Sequence, residues 1–531
     1  MLSKMKKWLA SLFKKGQENY PVVWNTNITP IYQHLLPWIN ELSPLPESLS
    51  ELPDTTEVDE NTIRWANGAE DGVFSHHGMG ASEITASEIY TSLKRALEKN
   101  DKESVYHFYQ QVAEQSPLSY IDDLIHLIVD KQEIHAPKLE AFTDWLLHNS
   151  PDTNVVKLAI SFTVFFPSDE RLKTLYCLAC HDEFTLYTII PIHAMLTSTS
   201  DYDAMWLKLA KRVEGWGRIH LIEHLPDEIS EETKQWILTT GYQNSVMVEY
   251  TAWHCATYCH LADALETQND SQLLVASSDI IQALLGGGPA RDINDYDDAF
   301  RCCFNYLSRI LEQDYLLDYY FTVLGINDYF QENSEKFENS TAITSLAQTI
   351  LDNPIWDKLI AQGLNSDDDI LFRNSTSIAR ARGQDIFPYL YEKQLNHPEN
   401  DLWFELMKTN DIDQVKQVIA LAEQQLPLEA ISTGPSDSLG LGAGYAQHGK
   451  LDFILQELPR FPGVGLSMIL CGLQSPVVRN RNMALRALAN WKREDWPQDL
   501  EPLLTQCHAI EPDNEAKARF AALLRGEPLE D

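Results

Sequence analysis

The chain has 531 residues, long enough for several domains or for one extended array of helical repeats. Hydrophobic residues at 44% and charged residues at 22% exclude a disordered or fibrous protein. Asp and Glu number 78 against 41 Lys and Arg, a formal charge of −37 that repels phosphate backbones, excludes nucleic acid as the expected partner and favours a basic protein.

Residues 1–15 stand apart as a basic amphipathic segment. Leu2, Met5, Leu9, Leu12 and Phe13 line one side of a predicted helix, while Lys4, Lys6, Lys7, Lys14 and Lys15 lie largely elsewhere around it. Such a helix suits peripheral contact with a membrane surface, and it suits docking onto the acidic body equally well. Its apolar centre is too short for a secretory signal. Residues 16–80 follow as a Pro-rich acidic arm that ends in a Gly/His loop. Pro21, Pro30, Pro37, Pro44, Pro46 and Pro53 punctuate the arm, and its aromatic residues predict contact with the body.

Residues 81–433 read as a helical repeat domain. Thr85 and Glu88 form a capping-box pattern before Ile89, Leu93 and Ala96 at helical spacing. Asp227 to Ser230 can cap a helix through Trp236-Ile237-Leu238 that stops at Gly241, and Asn244 opens another. Gly286-Gly287-Gly288-Pro289 breaks the chain before an amphipathic stretch over 296–311. Alternation of the strand type is scarce.

Residues 434–531 comprise a Gly-rich loop and a final helical unit. Ser475-Pro476 reads as a helix start, after which Val477, Ala484, Leu488 and Trp491 build one apolar stripe. This Pro-Val-x-Arg opening with Ala-Leu-x-Ala-Leu resembles the inner helix of a HEAT or armadillo repeat. The expected fold is therefore all-α, an irregular HEAT-like α-solenoid with an extended N-terminal arm.

Several motifs invite chemistry. His220-Leu221-Ile222-Glu223-His224 has the form of the inverted zinc peptidases, in which two histidines ligate zinc and the glutamate acts as base. Cys177 and Cys180, with Cys255 and Cys259, have the composition of a four-cysteine zinc site. Cys177-Leu178-Ala179-Cys180-His181 also copies the c-type haem attachment pattern, although no export signal accompanies it. Eight cysteines without a regular framework otherwise fit buried thiols in a reducing compartment, so the expected location is cytoplasmic. The segment over 64–78 gathers Trp65, Asp71, His76 and His77 among glycines, a turn-rich loop suited to a ligand. Arg479, Arg486 and Arg493 form a basic stripe able to receive an anionic group or to pair with acids of a neighbouring repeat. Gly444–Lys450 nearly matches a phosphate-binding loop, but Leu451 replaces the hydroxyl residue and the segment reads as a flexible connector.

Three segments together resemble a family of bacterial HEAT-like proteins, some labelled limonene hydroxylase: Trp65 with Asp71–His77, Gly215–His220 with Asn244–Met247, and Arg479–Leu485. The resemblance spans most of 60–526 and adds Trp216 and Arg218 to the binding candidates. It carries no catalytic residue onto particular positions. Oxygen insertion requires haem, flavin or iron, and the sequence holds no thiolate-haem signature, no flavin fingerprint and no His/carboxylate triad of recognisable spacing. The reading that follows is a non-catalytic protein-binding scaffold with no resident cofactor. Its alternatives are a zinc hydrolase or monooxygenase, and a membrane adaptor acting through residues 1–15.

Overall fold

The computed structural model describes residues 19–41, 43–55, 64–78, 84–196, 198–288 and 290–529. The basic segment over 1–15 lies outside them. Among the described residues the chain is helical with no strand, and one isolated bridge pairs Ser438 with Val477. The all-α expectation holds. No helix among these residues is long and apolar enough to cross a membrane.

Two compact units divide the chain. One holds the described residues of Met1–Thr56 and Trp65–Trp356, the other those of Glu57–Arg64 and Asp357–Asp531. In the first unit we label α1 (Ala69–His77), α2 (Ala86–Lys99), α3 (Ile121–Lys131), α4 (Thr153–Phe162) and α5 (Asp182–Met195). The series continues with α6 (Trp216–Glu223), α7 (Glu249–Tyr258), α8 (Ser271–Gly286) and α9 (Tyr320–Glu332). From α2 onward each labelled helix touches the next, although another helix intervenes in sequence every time. The intervening helices pack alongside: Ala136–Asn149 on α4 and Asp169–Ala179 on α5.

Local chemistry sets many of these boundaries. Thr85 and Glu88 close the expected capping box at the start of α2. Ser230 accepts the Thr233 N–H to begin Glu231–Trp236, which passes into a π-helical turn over Ile237–Gly241. Asn244 accepts the Val246 and Met247 N–H groups and turns the chain into α7. Helix α4 is buried at every position from Val155 to Phe162, Lys157 and Ser161 included, so it lies inside the fold rather than on its surface.

The Pro-rich segment is more ordered than its composition predicts. It forms short helices at Ile31–Leu35 and Glu47–Ser50. Tyr20 meets Phe142 edge-on and lies tilted against Trp145, and Trp24 lies tilted against Tyr109 and Trp145. Arg212, 1% exposed, donates to the carbonyls of Trp38, Ile39 and Glu41. Asp54 accepts both the N–H and the hydroxyl of Thr153. Main-chain groups that helical pairing leaves open are thus satisfied by side chains of the body.

In the second unit, α10 (Ala446–Leu455) and α11 (Leu466–Leu473) pack on α12 (Val478–Ala489), which also contacts Asn514–Arg525. The stripe Val477, Ala484, Leu488 and Trp491 is buried as expected. The start of α12 differs from the sequence reading. Ser475 uses its hydroxyl to accept the Val477 N–H and to donate to Asn480, and the helix begins two residues after Pro476. The Gly-rich stretch is docked, because Gly434 donates to the Gln474 carbonyl and Arg481 reaches the Ser436 carbonyl. Its end is no connector either: Gly449 and Lys450 lie inside α10.

Candidate functional site

The first surprise is α1. The sequence reading made residues 64–78 a turn-rich loop, yet Ala69–His77 is a helix between Gly68 at φ +73° and Gly78 at φ +85°. Tertiary contacts stabilise this glycine-containing stretch against its weak helix propensity. Ala69 packs with Trp216, Ile219 and Tyr250, and Val73 lies against the same cluster. Gly72 faces the Trp216 indole, where a Cβ would fall 2.1 Å from Cε3. Only a residue lacking a side chain fits there.

Beneath the N-terminal end of α1 sits a buried charged group. Asp71, 2% exposed, meets the Lys157 ammonium at 2.7 Å, and Glu183 meets the same ammonium from α5. Ser116 and Tyr187 donate hydroxyl hydrogen bonds to Asp71, while the Gly68 N–H donates to Glu183. Burial alone would lower the Lys157 pKa, but the Glu183 and Asp71 carboxylates outweigh it and hold the ammonium above the ordinary lysine value. Tyr187 is pushed well up by burial and by the Asp71 charge, so it stays a hydrogen-bond donor.

A second cluster forms at the C-terminal end of α1. His76 Nε2 lies 2.9 Å from one oxygen of Glu223, and His220 Nδ1 lies 3.5 Å from the other. Burial raises the Glu223 pKa, but the His220 and His76 imidazoles beside it prevail and bring it down to about 2. Next to it, His77 Nε2 and the Tyr250 hydroxyl lie 3.3 Å apart. The His76 ring also lies tilted against the Tyr250 and Trp216 rings. The structure therefore joins two motifs that the sequence presented separately. Buried His220 Nε2 has no hydrogen-bond partner among the described residues.

The other candidates fare differently. His220 and His224 do not share a helical face, because α6 ends at Glu223 and His224 turns back to place Nδ1 on the His220 carbonyl. The two oxygens of Glu223 point to different imidazoles, so carboxylate and imidazoles do not converge on one point. Among the described residues no group of three or more His, Cys, Asp or Glu is arranged to hold a metal ion. Cys177 and Cys180 lie by Arg212, whereas Cys255 lies by Arg218. Burial pushes the Cys177 and Cys259 thiols up to about 12 and Cys180 up to about 11, which keeps them protonated. His181, the histidine of the haem-like pattern, caps α5 by accepting the Glu183 N–H and contacts the Ser50 carbonyl.

Trp216 is buried, while Trp65 is 51% exposed and meets Phe74 edge-on. Arg218 is buried and donates to the carbonyls of Val213 and Gln243. In the second unit Arg479 pairs with Asp452 and donates to the Leu439 carbonyl, and Arg493 donates to Leu523 and Leu524. Arg486 is exposed on the same helix as Arg479. Sequence reasoning missed Lys157, Glu183, Tyr187, Ser116 and Tyr250. A lone lysine inside the apolar run Val155–Ala159 was the available signal for the first of them.

No protein-family model, curated protein or solved structure matches the chain.

Proposed function

We propose that this chain is a non-catalytic binding scaffold, an irregular HEAT-like α-solenoid with an extended N-terminal arm whose acidic exterior engages a basic protein. Side-by-side packing from α2 to α9 supports the stacked architecture, since each helix covers the apolar flank of the next. The placement of positive charge carries the functional reading. Arg212 and Arg218 are buried and donate to main-chain carbonyls, with Glu214 and Asp182 near Arg218. Meanwhile Asp122, Asp123, Glu231, Glu232 and Asp367 are exposed. The acid excess thus faces outward and is available to steer a cationic partner. Buried free thiols suit a reducing cytoplasm.

The test is capture from native lysate at two ionic strengths. Low salt should retain a protein of basic composition, and high salt should release it as the Debye length shrinks. Salt-insensitive capture, or none, removes the reading.

The second reading, a metal- or cofactor-dependent enzyme of the hydrolase or monooxygenase kind, has only the His76–Glu223–His220 cluster behind it, and that cluster is not arranged as a set of metal ligands. Metal analysis and an absorbance spectrum of purified protein discriminate it. A stoichiometric metal or a visible chromophore would support it, and a plain ultraviolet spectrum without metal would end it.

A further inference from the structure

The charged group under α1 puts an amine and a carboxyl group in direct contact, sealed from solvent. Lys157 Nζ lies 2.7 Å from Asp71 Oδ2, and the two side chains are 1% and 2% exposed. Glu183 Oε1 sits 2.5 Å from the same nitrogen. One ammonium therefore faces two carboxylates, one more than it can balance. Each oxygen of Asp71 has its own hydroxyl donor, Ser116 at 2.6 Å on Oδ1 and Tyr187 at 3.1 Å on Oδ2. Glu183 is fixed in turn by the Gly68 N–H on its Oε2. An ion pair needs one carboxylate only. The second carboxylate and the paired hydroxyls are what an acyl-transfer step uses, a base for the amine and donors for the developing oxyanion.

We propose that Lys157 and Asp71 condense into an intramolecular amide, an isopeptide bond that joins α4 to α1. The Nζ–Cγ bond forms and the Cγ–Oδ2 bond breaks. Nζ first passes one proton to Oδ2 across their hydrogen bond, giving amine and carboxylic acid with no change in net charge. Attack on Cγ then places negative charge on Oδ1, where the Ser116 hydroxyl meets it. Glu183 Oε1 takes the second proton from nitrogen and delivers it to Oδ2, which leaves as water. Tyr187 holds the departing oxygen, and Nζ keeps its last proton as the amide N–H. Nothing is oxidised or reduced, and no co-reactant is consumed. Two effects favour the amide. Burial removes the hydration that stabilises separate ions in water. Contact enforced by the fold supplies an effective concentration of about 10⁵–10⁸ M. The carboxylates hold Lys157 mostly as ammonium, which makes the step slow, while closure from solvent makes it one-way. The bond is independent of what the acidic exterior engages.

Peptide mapping of the purified full chain tests the bond. A denatured digest with a protease that does not cut at lysine should yield one branched pair carrying Asp71 and Lys157. That pair should be lighter by one water than its two peptides together. Separate peptides at full mass overturn the proposal. Asp71 precedes Gly72, a sequence prone to lose the same water by closing a succinimide. Water lost from the Asp71 peptide alone, with Lys157 free, overturns the proposal as well. A bond from Lys157 to Glu183 would overturn the choice of Asp71 as acyl group. The Glu183→Gln chain should lack the branched pair while keeping native circular dichroism, and a folded Glu183→Gln chain that retains the pair removes the proton relay. Should Glu183→Gln not fold, Ser116→Ala carries the test of mechanism. It should slow appearance of the pair in newly synthesised chain at least tenfold, and unchanged timing removes the oxyanion role.

Discussion

Arg481 and Glu511 meet at 2.6 Å with side chains 0% and 1% exposed, an ion pair closed off from water inside the second unit. The guanidinium also donates to the carbonyls of Ser475, Pro476 and Ser436, so one side chain ties the Gly-rich stretch to the start of α12. Removing either partner leaves an uncompensated buried charge, which costs about 3–5 kcal/mol. Arg481→Met should lower stability by that order in urea denaturation. A loss under about 1 kcal/mol would mean that the pair is replaceable.

Gly72→Ala tests the seat of α1. The new methyl would overlap the Trp216 ring, so the helix must shift or the indole must rotate. Overpacking of this kind costs about 1–3 kcal/mol. Tryptophan fluorescence should change with the loss in stability, and an unchanged spectrum at unchanged stability would contradict the packing described.

His181 predicts an acid limb in stability. Burial lowers its pKa to about 4, below the roughly 6.5 of a free histidine. As pH falls the unfolded chain therefore binds the proton first. This contribution is complete above about pH 6.5, declines between there and pH 4, and amounts to about 3 kcal/mol. Melting temperatures across that window should fall in the native chain and fall less in His181→Gln. Identical slopes would assign the effect to another group.

Thiol reactivity provides a check on the cysteines. All eight are buried, so a colorimetric thiol reagent should find fewer than about one fast-reacting group per native chain and eight after denaturation. Rapid reaction of Cys255 or Cys259 in the native state would open the metal question again.

The legible parts of this fold were local. Thr85 with Glu88, Ser230 and Asn244 act within four residues of themselves, and a sequence displays such chemistry directly. The buried stripe on α12 was legible for the same reason, because its period is fixed by the helix. Helix α1 was not. Its glycines and paired histidines argue for a loop until Trp216 and Lys157 are brought beside them from distant parts of the chain. The sequence marked His76 and Glu223 as notable, but nothing in their spacing says that they touch. Pairing across such separations is set by how helices stack, which propensity does not encode.

The bonds from Arg212 to the carbonyls of Trp38 and Glu41 have a practical side. Any shortened version beginning after Glu41 would strand an enclosed cation without acceptors. Trimming for crystallisation or expression should therefore keep the whole stretch from Tyr20 through Glu41, since Tyr20, Ile31 and Leu35 are buried against the body as well.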